Sequence, residues 1–133
     1  MTIQYPDLVD YLAIAAEITG LDVSVLATSA KVELADSALH APQAGFGEKE
    51  LYPEFCDKAG LLLVRLTKNH PLLDGNKRAA WVTLRLFVEM NSWRWTVVPS
   101  VDEAERVMLS IAGGEWDEKQ ISAWLRDRIE RST

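Results

Sequence analysis

Apolar residues recur along most of this chain at three- and four-residue spacing, the period of a helix that buries one face. Leu8, Tyr11, Leu12, Ala15 and Ile18 form the first such stripe, and Gly20 is placed to end it. A second helical region runs from Val23 to about Leu39 with an expected break, and Pro42 closes it. Residues 41–51 contain Pro42, Gly45 and Gly47 and read as a loop or small flap. Pro53 suits the first turn of a helix that continues to about Lys68. The next helix begins near Asn76 and stops at Asn91, which tolerates a left-handed backbone. Only Trp93–Val98 has strand-like composition, and it is too short to build a sheet alone. Ser100 with Glu103, and Asp117 with Gln120, are spaced as capping boxes for two further helices. The first ends at Gly113-Gly114; the second presents Ile121, Trp124, Leu125 and Ile129 on its apolar face. The pattern predicts an all-α fold, one compact domain of about six helices with a short β-flap.

Composition narrows the function classes. A chain of 133 residues is long enough to bury about two-thirds of its unfolded surface without a disulfide or structural metal. Its net charge of −6 lacks the broad basic face that non-specific nucleic-acid binding requires, so no direct DNA binding is expected. Cys56, the single cysteine, excludes an intramolecular disulfide and a thiolate zinc cluster, and its apolar context suits a small buried hydrophobe. The first residues lack a basic region and a cleavage site, and no uncharged apolar run reaches membrane-spanning length. The expectation is a cytoplasmic protein with no membrane partner.

One stretch breaks the apolar pattern. Asn69-His70-Pro71-Leu72-Leu73-Asp74-Gly75-Asn76-Lys77-Arg78 lies between two greasy segments, Ala59–Leu66 and Ala79–Val88, and must turn the chain at one end of the core. A polar loop held by rigid flanks is where chemistry is usually found. Gly75-Asn76 precedes a helix whose first residues include Lys77 and Arg78. Free N–H groups at a helix start, the positive dipole end and two cations together make an anion site. Gly75 permits close approach and positive φ. Basic residues in a first turn oppose the dipole, a local cost that an anion would offset. Asp74 is a hard oxygen ligand suited to Mg²⁺ beside phosphate, and His70 is a candidate general base. These are the parts that nucleotide-dependent transfer needs.

Each part also has a plainer reading. His70 before Pro71 would cap the carbonyls of the preceding helix. Asp74-Gly75 is a common turn pair, and Asp74 would cap the following helix. Lys77 and Arg78 would be solvated, or paired with Glu50, Glu54 or Asp57. The stretch is not a Walker A sequence.

His70-Pro71-Leu72-Leu73-Asp74-Gly75-Asn76-Lys77-Arg78 resembles the signature of the Fic/Doc family, and in particular its death-on-curing (Doc) toxin branch, His-x-Phe-x-Asp-Gly/Ala-Asn-Lys-Arg. Residues 33–43, Leu51-Tyr52-Pro53, Lys58-Ala59 and Phe87–Asn91 are similar to the family's flanking text, giving coverage of about residues 31–92. The AMP-transferring Fic pattern has a second glycine where this chain has Lys77, and a final arginine where it has Trp81. In the Doc branch the same lysine accompanies a reversed nucleotide that delivers its γ-phosphate. Leu72 stands in place of the usual Phe and is expected to face the core as an anchor.

The resemblance implies roles. His70 would take the proton from a target threonine or serine hydroxyl, and Asp74 would hold Mg²⁺. Gly75 and Asn76 would line the phosphate loop; Lys77 and Arg78 would bind phosphate oxygens. Gly45, Phe46, Gly47 and Leu51 would belong to a flap that pins the target peptide by strand-like pairing. The implied function is a Doc-type toxin that uses ATP and Mg²⁺ to phosphorylate a translation factor such as elongation factor Tu, arresting translation. The alternatives are AMP transfer to a protein hydroxyl and a non-catalytic interaction module. The implied partner is a Phd-like antitoxin whose tail folds as a helix on the toxin. Trp93, Trp95, Trp116 and Trp124 are candidates for its groove, with core packing as the competing role and the one favoured for Trp124.

Overall fold

The computed structural model describes residues 2–132, and among them seven α-helices surround one core. In chain order these are α1 (Leu8–Thr19), α2 (Val23–Ser29), α3 (Val32–His40), α4 (Phe55–Asn69), α5 (Asn76–Met90), α6 (Val101–Ala112) and α7 (Glu118–Arg126). A 3₁₀ turn at Ala41–Gln43 leads into an antiparallel hairpin, β1 (Gly45–Phe46) and β2 (Lys49–Glu50). A second two-stranded sheet pairs β3 (Trp93–Trp95) with β4 (Ile129–Arg131), Trp95 opposite Ile129. Among the described residues, no single helix is long and apolar enough to cross a membrane.

Helix α4 is the central element, with 11 of its 15 residues buried. A helix buried over so much of its surface sits inside the core, and α3, α5, α6 and α7 all pack on it. The α7 contact depends on Gly60, where an added Cβ would meet the Glu118 carbonyl oxygen at 3.0 Å and the Ser122 nitrogen at 3.1 Å. Glycine costs a helix interior about 1 kcal/mol, and here that cost allows two backbones to touch. Cys56 is buried, as its context predicted, and burial pushes its thiol pKa up to about 11.

Capping follows the predicted residues with instructive departures. Gly20 ends α1, and the Asp117–Gln120 box is complete. Ser100 accepts from the Glu103 N–H, but the Glu103 carboxylate binds Arg128 in a two-point pair at 2.8 and 2.6 Å instead of reaching back. Those bonds hold the Glu103 pKa below the usual carboxylate value. Pro53 lies outside α4, which starts at Phe55 behind Glu54. Asn91 is not left-handed; Ser92 is, at φ 60°. The Asn91 amide is occupied instead, donating to Gln4 and Phe87 carbonyls and accepting the Gln4 N–H, which ties the N-terminal segment to α5. Ile129 belongs to β4 rather than to the last helix, which stops at Arg126. The strand of residues 93–98 shortens to Trp93–Trp95, because only these pair with β4.

Candidate active site

The polar loop joins α4 to α5 and is stitched down at several points. The Lys31 N–H donates to the Pro71 carbonyl at 2.8 Å, and Asn69 Nδ2 donates to the Leu34 carbonyl at 3.0 Å. Both bonds fix the loop to the start of α3. Leu72 is 3% exposed and serves as the apolar anchor. Asn76, 4% exposed, closes the turn: its Oδ1 accepts the Leu72 N–H at 2.9 Å and its Nδ2 donates to the Leu72 carbonyl at 2.8 Å. The Asn76 side chain is therefore committed to the loop backbone. What it presents outward is its own N–H at the first position of α5.

Gly75 precedes that helix at φ 84°, a left-handed conformation that suits glycine. A Cβ there would also sit 3.2 Å from the Ile18 side chain. No side chain caps α5, and its first intrahelical bond runs from the Ala79 N–H to the Gly75 carbonyl. The N–H groups of Asn76, Lys77 and Arg78 thus have no partner among the described residues. Asp74 does not cap the helix; its Oδ1 accepts the Gly75 N–H at 2.9 Å, leaving the second oxygen outward on an exposed residue.

Glu50, Glu54 and Asp57, the carboxylates expected as partners for Lys77 and Arg78, are engaged elsewhere. Glu50 pairs with Lys58, while Glu54 and Asp57 both pair with Arg126. Lys77 and Arg78 are exposed and form no salt bridge among the described residues. A positive helix end, uncapped N–H groups and two cations outside any salt bridge thus coincide.

His70 ends α4 at φ 51°, an uncommon backbone for a residue with a Cβ. It is exposed, and its ring makes no hydrogen bond to the α4 carbonyls, so it does not act as their side-chain cap.

A cavity of about 640 Å³ opens beside the loop, lined by residues 72–78. Trp81, one turn into α5, contributes to its wall and packs on Trp95 and Trp124 with ring centroids 5.8 and 6.2 Å away. It therefore faces both the aromatic core and the cavity. The remaining walls come from Ile18, Thr19 and Leu21 at the end of α1, Leu26, Ser29 and Ala30 around α2, and Val101, Ala104, Glu105 and Met108 of α6. The sequence reading missed these residues, which are mostly small or apolar and carry no local signature. Trp93, Trp95, Trp116 and Trp124 do not line this cavity; they are partly buried against the core.

Not every predicted site residue meets there. Asp74, Gly75, Asn76, Lys77 and Arg78 do; His70 and the hairpin residues Gly45, Phe46, Gly47 and Leu51 do not border the cavity. Phe46 is 80% exposed at the hairpin and Leu51 follows it, also exposed. Among the described residues, no three His, Cys, Asp or Glu side chains converge as a metal cage.

Comparison with known proteins agrees with the motif and extends it. The sequence model of the Fic/DOC family matches residues 5–88, reaching back through α1 and α2, beyond the stretch that the motif's flanking text covers. The chain is 39% identical over 92 residues to a protein named Toxin Doc from Mycolicibacterium smegmatis (strain ATCC 700084 / mc(2)155), spanning 69% of this chain and 71% of that protein. With the family match covering more than half of its length, this chain belongs to the Fic/DOC family.

Proposed function

We propose that this protein is the toxin of a toxin–antitoxin pair, transferring the γ-phosphoryl group of ATP to a serine or threonine hydroxyl of a translation factor, with elongation factor Tu the first candidate. The observation that carries this reading is the start of α5: three N–H groups without a partner among the described residues, with Lys77 and Arg78 beside them in no salt bridge. Phosphoryl transfer requires positioning and charge stabilisation more than covalent help from the protein, and this end of the helix offers both. The relative named Toxin Doc supports the biological setting and an antitoxin partner; that this antitoxin is Phd-like is part of the proposal.

In this reading the phosphates lie on the N–H groups of residues 76–78, and Arg78 grips two oxygens at once. Lys77 holds charge that develops on the leaving oxygen. The Asp74 oxygen left open fits a Mg²⁺ ion of the kind that keeps most of its shell as water and phosphate and takes only one or two protein carboxylates. Such an ion would neutralise charge on the β- and γ-phosphates. His70, exposed at the loop entrance, accepts the proton of the target hydroxyl. The hydroxyl oxygen then bonds to the γ-phosphorus, the bond to the β–γ bridging oxygen breaks, and ADP leaves. The β1–β2 hairpin offers an open strand edge to the target segment.

The test is mass spectrometry of elongation factor Tu after incubation with the antitoxin-free protein, ATP and Mg²⁺. Addition of one phosphate is expected. An added adenylyl group would mean AMP transfer. An unmodified proteome after incubation with whole-cell extract would leave only an interaction module and overturn the proposal.

A further inference from the structure

Lys58 is one of the largest fully buried side chains of the domain, 1% exposed, in a helix otherwise packed with apolar residues. A buried ammonium is costly unless its protons find partners. Its Nζ lies 3.2 Å from the Pro42 carbonyl oxygen and 3.2 Å from Glu50 Oε1, with the Tyr5 ring centroid 5.7 Å away. The first two partners flank the β1–β2 hairpin on its two sides. Pro42 stands ahead of β1, and Glu50 is the last residue of β2. One cation thus clasps both feet of the flap.

The 3₁₀ turn at Ala41–Gln43 packs on α3 and α4 with Pro42 buried, but the strands beyond it have little other hold on the domain. All four strand residues are exposed, and two-stranded hairpins are marginal alone in water. At the base, the Leu51 N–H donates to the Ala44 carbonyl at 3.0 Å, which closes the hairpin on itself but does not dock it to the domain. The charge also sits in the first turns of α4, where a cation opposes the helix dipole. Methionine would fill the same space without that penalty.

We infer that Lys58 is a positioning residue, a buried staple that fixes the hairpin against α4 so that its strand edge is held ready for the target peptide. The link to the target rests on the phosphoryl-transfer reading above; the staple itself does not.

Lys58→Met removes the donors and keeps the volume, and Glu50→Gln changes only an exposed partner, so both variants are expected to fold. Hydrogen–deuterium exchange of the 44–51 segment, the Leu51 amide in particular, should quicken by roughly ten- to a hundredfold, the range supported by a charge-assisted hydrogen bond. KM for the protein target should rise severalfold while KM for ATP stays fixed, since Lys58 does not border the cavity. Unchanged exchange in both variants overturns the staple. Faster exchange with unchanged target KM overturns the positioning role. If the wild-type protein modifies no target, exchange alone still decides the staple, so the two failures are distinguishable.

Discussion

Replacing Asn76 by alanine is the most direct probe of how the loop is held. The substitution removes two hydrogen bonds and leaves the N–H and carbonyl of Leu72, a buried residue, without their partners. Each unsatisfied buried group costs about 1–3 kcal/mol, so the pair should cost about 2–4 kcal/mol after partial relaxation of the loop. A chain of 133 residues has an unfolding entropy of about 0.28 kcal/mol per kelvin, which places the drop in Tm at roughly 7–14 °C. Asn76→Asp is the informative companion. It keeps the acceptor for the Leu72 N–H but sets a carboxylate oxygen against the Leu72 carbonyl, so it should lose stability despite unchanged shape. Circular-dichroism melts read the stability of both variants, and phosphate incorporation into the target reads activity. Activity should fall in both, because Asp74 and Gly75 lie within the turn that Asn76 closes. A Tm within about 2 °C of the parent for the alanine variant, less than 1 kcal/mol at this size, would refute the clasp.

Three further outcomes follow from the same geometry. Gly75→Ala and Gly20→Ala each force a Cβ into a left-handed backbone, at about 1–2 kcal/mol. Only the first also crowds Ile18 and distorts the anion site, so both variants should lose several degrees of Tm while nucleotide binding by calorimetry fails in Gly75→Ala alone; equal binding in the two would argue against the site. Cys56 has its pKa raised by burial from 9.0 to about 11, so the unfolded chain sheds that proton first. Stability is complete below about pH 9 and declines as pH rises toward 11, by up to about 3 kcal/mol, with buried Tyr11 acting in the same direction at higher pH. Cys56→Ala should flatten denaturant midpoints between pH 9 and 10, and an unchanged slope would contradict the assignment. Finally, Lys77→Gly combined with Trp81→Arg should shift the product from phosphate toward AMP on the same target; identical product masses would remove Lys77 as the determinant of nucleotide orientation.

Local regularities determined much of this protein from its sequence. The 3.6-residue stripes located the helices, and Gly20, Ser100 and the Asp117–Gln120 pair marked helix ends, because capping and periodicity act within a few residues. The motif from His70 to Arg78 was legible for the same reason: a helix start exposes its N–H groups wherever the chain goes next. Tertiary structure decided what depends on distant partners. Ile129 fits a helical stripe equally well, but pairing with Trp95 draws it into a strand. Glu103 could have completed its capping box had Arg128 not come within reach. Asn76 reads as a phosphate ligand by position, yet the turn consumes its amide. The cavity walls from α1, α2 and α6 are dispersed apolar residues that become a site only when those helices meet the loop. Nothing in the sequence marks Lys58 as buried, and only the packing around α4 sets it between the two feet of the flap.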